Sequence, residues 1–400
     1  MASIVYSLCG EGRGHATRAR ATVEAMRGRH RVTIFAAHCA YEMLAPIYER
    51  DRARDGGRDE VRVVRIPGLQ FGYTRGGRVD LLRTLRMAAS FRMAVEAHVD
   101  AVMPELRRSR PDLVISDFEP IIPRAALRCG LPFVSFDHQH YLAVSDLSSL
   151  PFRLRQEARL AAPFVRALYD WQAATIVSSF YRAPLKPAHR DAVWVGTLMR
   201  PSMLGIVPQP GNHVVAYIRR HASAETMAAL AACGREVRIY GLGERPAEGP
   251  LGFRAIDERR FLDDLATCDA VVSTAGNQLV GEALYLRKPV LAMPEPWNFE
   301  QSVNAYFLEQ SGAGWAERGT LTPERLGAFL AAAGEMRAHI RPELVCGNDA
   351  ALAALERHIE TPRPPLQAPS SARPGSRGAV RRLPATPAPA ARSISAEQGA

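Results

Sequence analysis

Short runs rich in Val, Ile and Ala, bounded by Gly, Pro and Asp, alternate along the chain with longer stretches whose apolar positions recur every three or four residues. The first pattern reads as buried strand and the second as amphipathic helix, and their alternation is the signature of parallel sheets covered by helices. Strands are expected over 4–8, 31–36, 61–66, 112–116, 133–136, 175–178 and 193–195, then over 214–218, 237–240, 252–255, 270–273 and 290–293. Between the two sets, Gly196-Thr-Leu-Met-Arg-Pro-Ser-Met-Leu-Gly-Ile-Val-Pro-Gln-Pro-Gly-Asn carries three prolines and three glycines, which marks a linker. The fold expected is α/β: two doubly wound Rossmann-like domains facing across a cleft. Residues 1–198 form the first, 199–212 the linker, 213–340 the second, 341–360 a C-terminal helix and 361–400 a disordered tail. Ligands of open parallel sheets bind beyond the carboxyl ends of the strands, so chemistry is sought in the loops there.

A chain of 400 residues, 47% hydrophobic and 23% charged, can bury two ordinary cores without disulfide or metal staples. Its apolar runs fall short of the roughly 18 residues that a membrane-spanning helix requires. The opening Met1-Ala-Ser-Ile-Val-Tyr-Ser-Leu reads as a first core strand and not as a signal peptide, so a cytoplasmic protein is expected. The six cysteines (9, 39, 129, 233, 268 and 346) are scattered, as small core residues would be. Of the formal net charge of +10, residues 361–400 hold +5, from six arginines and one glutamate. Lysine occurs only at Lys186 and Lys288, which points to codon bias. With no basic stripe interleaved with aromatics, nucleic acid is not an expected partner.

The first strand runs into Cys9-Gly-Glu-Gly-Arg-Gly-His15-Ala-Thr-Arg and then a helix to about Met26. Gly10, Gly12 and Gly14 allow backbone N–H groups to approach a phosphate or sugar at a helix N-terminus. The spacing G-x-G-x-G-H departs from the dinucleotide fingerprint G-x-G-x-x-G, which argues against a nicotinamide enzyme. His15, at a helix N-terminus that favours the neutral ring, reads either as a general base or as a solvent-facing cap. Another strand ends on Asp117, in Leu113-Val-Ile-Ser-Asp-Phe-Glu-Pro. Asp117 reads either as the partner that orients His15 or as a turn former and helix cap.

The densest motif runs from Asp269 to Ala305: strand, glycine-containing turn, helix, strand, loop, helix. Ser273, Thr274, Gly276 and Asn277 would offer N–H groups and hydroxyls to a diphosphate. Glu282 could accept from a ribose diol, and Glu300 and Gln301 could bind sugar hydroxyls.

With these residues in place, the sequence resembles GT-B nucleotide-sugar glycosyltransferases. It is similar to the bacterial lipid-linked peptidoglycan N-acetylglucosaminyltransferase, the UDP-glycosyltransferases, and above all a bacterial and archaeal branch opening G-x-G-x-G-H-A-T-R. The resemblance spans about 3–358 and is concentrated at 9–20 and 269–314. It implies inverting, metal-independent transfer of a sugar from a nucleoside diphosphate donor, UDP sugars favoured, to an acceptor hydroxyl, with no cofactor. It also implies that His15 is the base or lies beside the diphosphate, that Asp117 supports it, that Glu282 meets the ribose, and that Glu300 and Gln301 face the donor sugar. The acceptor is left open, lipid-linked carriers and glycolipids included. Two positions depart from the family. A glycine-rich loop after the first strand of the second domain is replaced by Arg219 and Arg220, which suit a diphosphate or a surface ion pair. Where plant members carry a histidine, this chain has Thr274 or Ala275.

Weaker signals leave more than one reading. His138-Gln-His140 could hold a metal, line the acceptor pocket or be structural. Residues 150–166 read as a helix covering the sheet or as a peripheral contact at the inner face of a membrane. Arg75, Arg78, Arg83 and Arg86 guide an anionic acceptor or are simply solvated. A nucleotide-sugar epimerase and a nucleotide-sugar-binding protein without turnover would suit the same scaffold.

Overall fold

The computed structural model describes residues 1–54, 61–70, 72, 74, 80–219, 222–296 and 298–361. The tail beyond Thr361, Arg75, Arg78 and Arg220 lie outside the described residues. In chain order the first half comprises β1 (Ser3–Leu8), α1 (Gly14–Met26), β2 (Arg31–Ala36), α2 (His38–Arg54), β3 (Val61–Arg65), α3 (Leu81–Ser109), β4 (Leu113–Asp117), α4 (Ile121–Arg128), β5 (Phe133–Asp137), α5 (Tyr141–Val144), α6 (Phe152–Leu168), β6 (Ala174–Ser178) and β7 (Val193–Val195). The short α7 (Pro201–Leu204) follows, with proline opening its first turn. The second half comprises β8 (His213–Tyr217), α8 (Ala224–Ala231), β9 (Glu236–Tyr240), β10 (Arg245–Glu248), β11 (Leu251–Arg254), α9 (Glu258–Thr267), β12 (Ala270–Ser273), α10 (Asn277–Tyr285), β13 (Val290–Ala292), α11 (Phe299–Gln310) and β14 (Gly314–Ala316). It closes with α12 (Pro323–Ala331), α13 (Ala333–His339), α14 (Pro342–Val345) and α15 (Asn348–Glu360).

These strands form two sheets of seven, in the orders β3-β2-β1-β4-β5-β6-β7 and β10-β11-β9-β8-β12-β13-β14. Every pairing is parallel except β10 with β11. Helices cover both faces, so the central strands are buried on both sides and read as continuous apolar runs. Strand order reverses between β1 and β4 in the first sheet and between β8 and β12 in the second. In open parallel sheets ligands bind beyond the carboxyl ends of the strands at such switch points, and the motifs at 9–15, 117 and 273–277 lie at or just after those strand ends.

Two strands were not expected from the sequence. β14 is only Gly-Trp-Ala, too short and too poor in β-branched residues to signal itself. β10, Arg-Pro-Ala-Glu, is exposed throughout and sits at the sheet edge, where proline and charge are tolerated and block further pairing.

The last helix returns to the first domain, packing α15 against α1, β6 and β7. Residues 346–348 run beside 197–199, with Thr197 bridged to Cys346, and Asn348 exchanging hydrogen bonds with the N–H and carbonyl of Met199 at 2.8 and 2.7 Å. Two glycines make this approach possible. A Cβ on Gly196 would lie 2.2 Å from the Val345 carbonyl oxygen, and one on Gly347 would lie 2.2 Å from that of Gly196.

Candidate functional site

Parallel pairing of β1 with β4 sets Asp117 opposite Leu8, immediately before the loop that leads into α1. Three residues apart on that helix, His15 and Arg18 present their side chains to the same side and converge on the carboxylate. The His15 Nδ1 lies 2.7 Å from Asp117 Oδ1, and Arg18 donates through Nη2 to Oδ1 at 2.6 Å and through Nε to Oδ2 at 2.8 Å. Tyr6 adds a longer bond at 3.4 Å. Asp117 is fully buried and Arg18 is 3% exposed, while His15 is 9% exposed. A carboxylate beside Nδ1 favours the proton there and leaves Nε2 free to accept one. Burial works against the Arg18 charge, but contact with Asp117 outweighs it and raises the guanidinium pKa. Neither side chain caps its neighbouring helix: α1 lacks a side-chain cap, and the first N–H groups of α4 go to the Glu119 carboxylate. Burial pushes the Cys9 thiol up to about 12, so it is no nucleophile. Nothing in the sequence alone assigns Arg18 a role, although its three-residue spacing from His15 sets both on one side of α1.

The glycine loop is shaped by contact. A Cβ at Gly10 would lie 2.4 Å from the Ala37 carbonyl oxygen, and Gly12 has a φ of +79°. Gly14 faces Gln278, so the first turns of α1 and α10 meet across the domains. Both helices begin without a side-chain cap, leaving N–H groups at each terminus for an anion. Arg219 stands beside Gly12, donating to Glu11 at 3.4 Å and lying 3.5 Å from Glu295.

In the second domain the expected residues divide. Ser273 is buried, its hydroxyl without a hydrogen-bond partner, and Thr274 is half-buried beside it. Ala275 has a φ of +61°, in the strained turn that ends at Gly276. Asn277 bridges to the first domain, accepting from the Phe180 N–H at 3.3 Å and donating to the Ser178 carbonyl at 3.1 Å. Gln301 accepts from the Glu295 N–H at 2.7 Å, and Glu300 accepts from Gln139 at 3.0 Å. Glu282 stands apart, 2% exposed and engaged by Arg200 at 2.8 Å and Gln278 at 3.0 Å. Any ribose reaching it must displace Arg200.

His138 and His140 are each 1% exposed and their rings turn to different partners. His138 lies between the Ser178 carbonyl and Asn304 Oδ1, at 3.1 and 2.9 Å, and burial lowers its pKa. His140 pairs with Asp137 at 2.7 Å, and Ser135 donates to the same carboxylate at 2.8 Å. Among the described residues no group of three or more His, Cys, Asp or Glu could hold a metal ion. Burial alone would raise the Asp137 pKa, but His140 and the hydrogen bonds around the carboxylate lower it to about 2. A carboxylate lowered on folding stabilises the protein above its unfolded pKa, and that contribution fades as pH falls toward the folded value. Unfolding free energies from urea titrations between pH 5 and pH 3 should therefore fall less steeply for Asp137→Asn than for wild type, by on the order of 1 kcal/mol per pH unit. Parallel slopes would show that Asp137 does not set acid stability.

Among the described residues no helix is long and apolar enough to cross a membrane. The chain is similar, at 24% identity over 78% of its length and 84% of the relative's, to an uncharacterized glycosyltransferase of Methanosarcina mazei. Its fold is similar to that of the calicheamicin glycosyltransferase CalG4 (17% identity, TM-score 0.58, covering 90% of this chain and 99% of that one). It is also similar to Arabidopsis thaliana UGT89C1 complexed with UDP-L-rhamnose (15% identity, TM-score 0.62, covering 90% and 99%). The family model for glycosyl transferase family 1 matches residues 2–333, which include both sheets and the loops at 9–15, 117 and 273–277. The chain thus belongs to glycosyl transferase family 1 and is a glycosyltransferase of the GT-B fold.

Proposed function

We propose that this enzyme transfers a sugar, with inversion and without a metal, from a nucleoside diphosphate donor to an acceptor hydroxyl. The observation that carries the reading is the 2.7 Å contact between His15 and Asp117 beside two uncapped helix N-termini. His15 Nε2 takes the proton of the acceptor hydroxyl as its oxygen attacks the anomeric carbon. The bond from that carbon to the diphosphate breaks on the opposite side, and the leaving group carries away the electron pair. Asp117 holds the ring and stabilises it once protonated, and Arg18 fixes the carboxylate. Charge developing on the diphosphate meets the N–H groups of α10, Ser273, Thr274 and Arg219, which supply the field a metal would otherwise provide. Residues 1–198 serve the acceptor and 213–340 the donor, with Glu300 and Gln301 on the donor sugar. The UDP-L-rhamnose bound to UGT89C1 supports a UDP sugar as the donor.

Glu282 takes the ribose by exchanging Arg200 for the diol. In a thermal-shift panel of UDP, GDP and dTDP sugars without added metal, one donor should raise the melting temperature, and Glu282→Gln should lose most of that shift. At a hundredfold excess over Kd the stabilisation is about 2.7 kcal/mol. No shift with any donor would overturn the reading. Conversion of the donor alone to an epimer, with no acceptor present, would instead make the protein an epimerase.

A further inference from the structure

Two helices of the first domain carry apolar stripes that, among the described residues, have nothing packed upon them. In α3 no side chain from 82 to 98 is buried, and Leu82, Leu85 and Met93 are 69%, 65% and 87% exposed. Their spacing places them along one side of the helix. In α6 Phe152, Leu160 and Phe164, at positions i, i+8 and i+12, are 69%, 82% and 53% exposed. A single exposed leucine is ordinary, but stripes of Phe, Leu and Met on two helices of one layer are not.

Both helices belong to one layer. α3, α4 and α6 follow β3, β4 and β5 as the chain steps across the sheet in one direction, and right-handed crossovers put such helices on the same face. α4 joins the other two. Its Arg128 pairs with Glu96 and Asp100 of α3, and its Arg124 donates to the Leu168 carbonyl, where α6 ends, at 2.6 Å.

Charge singles out this layer. Residues 82–95 hold Arg83, Arg86 and Arg92 with no acid, and residues 152–166 hold Arg153, Arg155, Arg159 and Arg166 against Glu157 alone. These two segments carry +6, whereas residues 1–360 as a whole carry +5. The remainder of that body is therefore slightly negative, and its positive excess is confined to the helices with the uncovered stripes.

We propose that the outer faces of α3 and α6 dock on an anionic lipid bilayer, their apolar stripes in the headgroup region and their arginines on the phosphates. Amphipathic helices with Phe and Leu on one side and arginine on the flanks bind bilayer surfaces in this way. A second copy of the chain is the poorer occupant, because pairing these faces would set arginines against arginines.

The test is sedimentation of the full-length protein with vesicles of phosphatidylcholine alone or with about one-third phosphatidylglycerol. Binding should require phosphatidylglycerol and weaken with salt. The triple variants Phe152→Ser/Leu160→Ser/Phe164→Ser and Leu82→Ser/Leu85→Ser/Met93→Ser should each lower vesicle affinity at least about tenfold. Because the replaced side chains are exposed, their melting temperatures should match wild type, and light scattering should show one oligomeric state throughout. Absence of vesicle binding would overturn the proposal. So would unchanged binding by both variants, which would assign lipid contact to the arginines of 361–400. A wild-type dimer dispersed by either variant would make the surface a self-association face and likewise overturn it.

Discussion

Replacing His15 with alanine is expected to lower kcat by roughly 10²- to 10⁴-fold, the usual range for loss of a general base, while donor affinity stays within about twofold. The substitution is structurally mild. Asp117 keeps both bonds from Arg18, so its carboxylate is not left without a partner, and His15 contributes no cap whose loss would fray α1. What disappears is the ring nitrogen facing away from Asp117, the proton acceptor of the proposed mechanism. Single-turnover rates and donor titration on the same preparation separate the two effects. Equal loss of donor affinity and rate would make His15 a donor contact, and an unchanged rate would remove it from the reaction altogether.

Asp117→Ala should behave differently, failing in stability as well as in rate. Arg18 is 3% exposed, and the bonds to Asp117 are what hold its charge in the interior. Removing one partner of a buried pair leaves the other charge uncompensated, at a cost of about 3–5 kcal/mol. Urea denaturation of Asp117→Ala should show a loss of that size, whereas Arg18→Met/Asp117→Ala should recover part of it by removing the stranded charge. Asp117→Asn nearly preserves the shape but offers Nδ1 no carboxylate, so its turnover should fall further than its stability. A fully stable Asp117→Ala protein would mean that Arg18 finds water or another acceptor.

The parts of this enzyme that could be read from the sequence are those set by local pattern. Strands such as 31–36, 193–195 and 270–273 are dense in β-branched residues and bounded by turns, and their observed limits agree with the reading. The loop after β1 and the aspartate ending β4 were visible for the same reason, since a strand end displays its last residue at a predictable edge. Other features depend on contacts between distant segments. Arg18 acquires its meaning only when β4 brings Asp117 to it, 99 residues along the chain. Glu282 has the spacing of a ribose ligand, but Arg200, 82 residues earlier, occupies its carboxylate, and no periodicity could disclose that pair. The H-x-H motif shows the same limit. Two residues apart on a loop, its rings diverge, one to Asn304 of the second domain and the other to Asp137 of the first.

The side-by-side passage of 196–199 and 345–348 gives the molecule a mechanical property. Two covalent connections lying together behave like the knuckles of one hinge pin: rotation about their common line disturbs few contacts, whereas sliding or twisting strains both connections at once. Two connections so placed favour a single axis for any opening of the two domains. A hinge of that kind would bring the first turn of α1 back to the first turn of α10 in the alignment the structure shows, with Gly14 against Gln278.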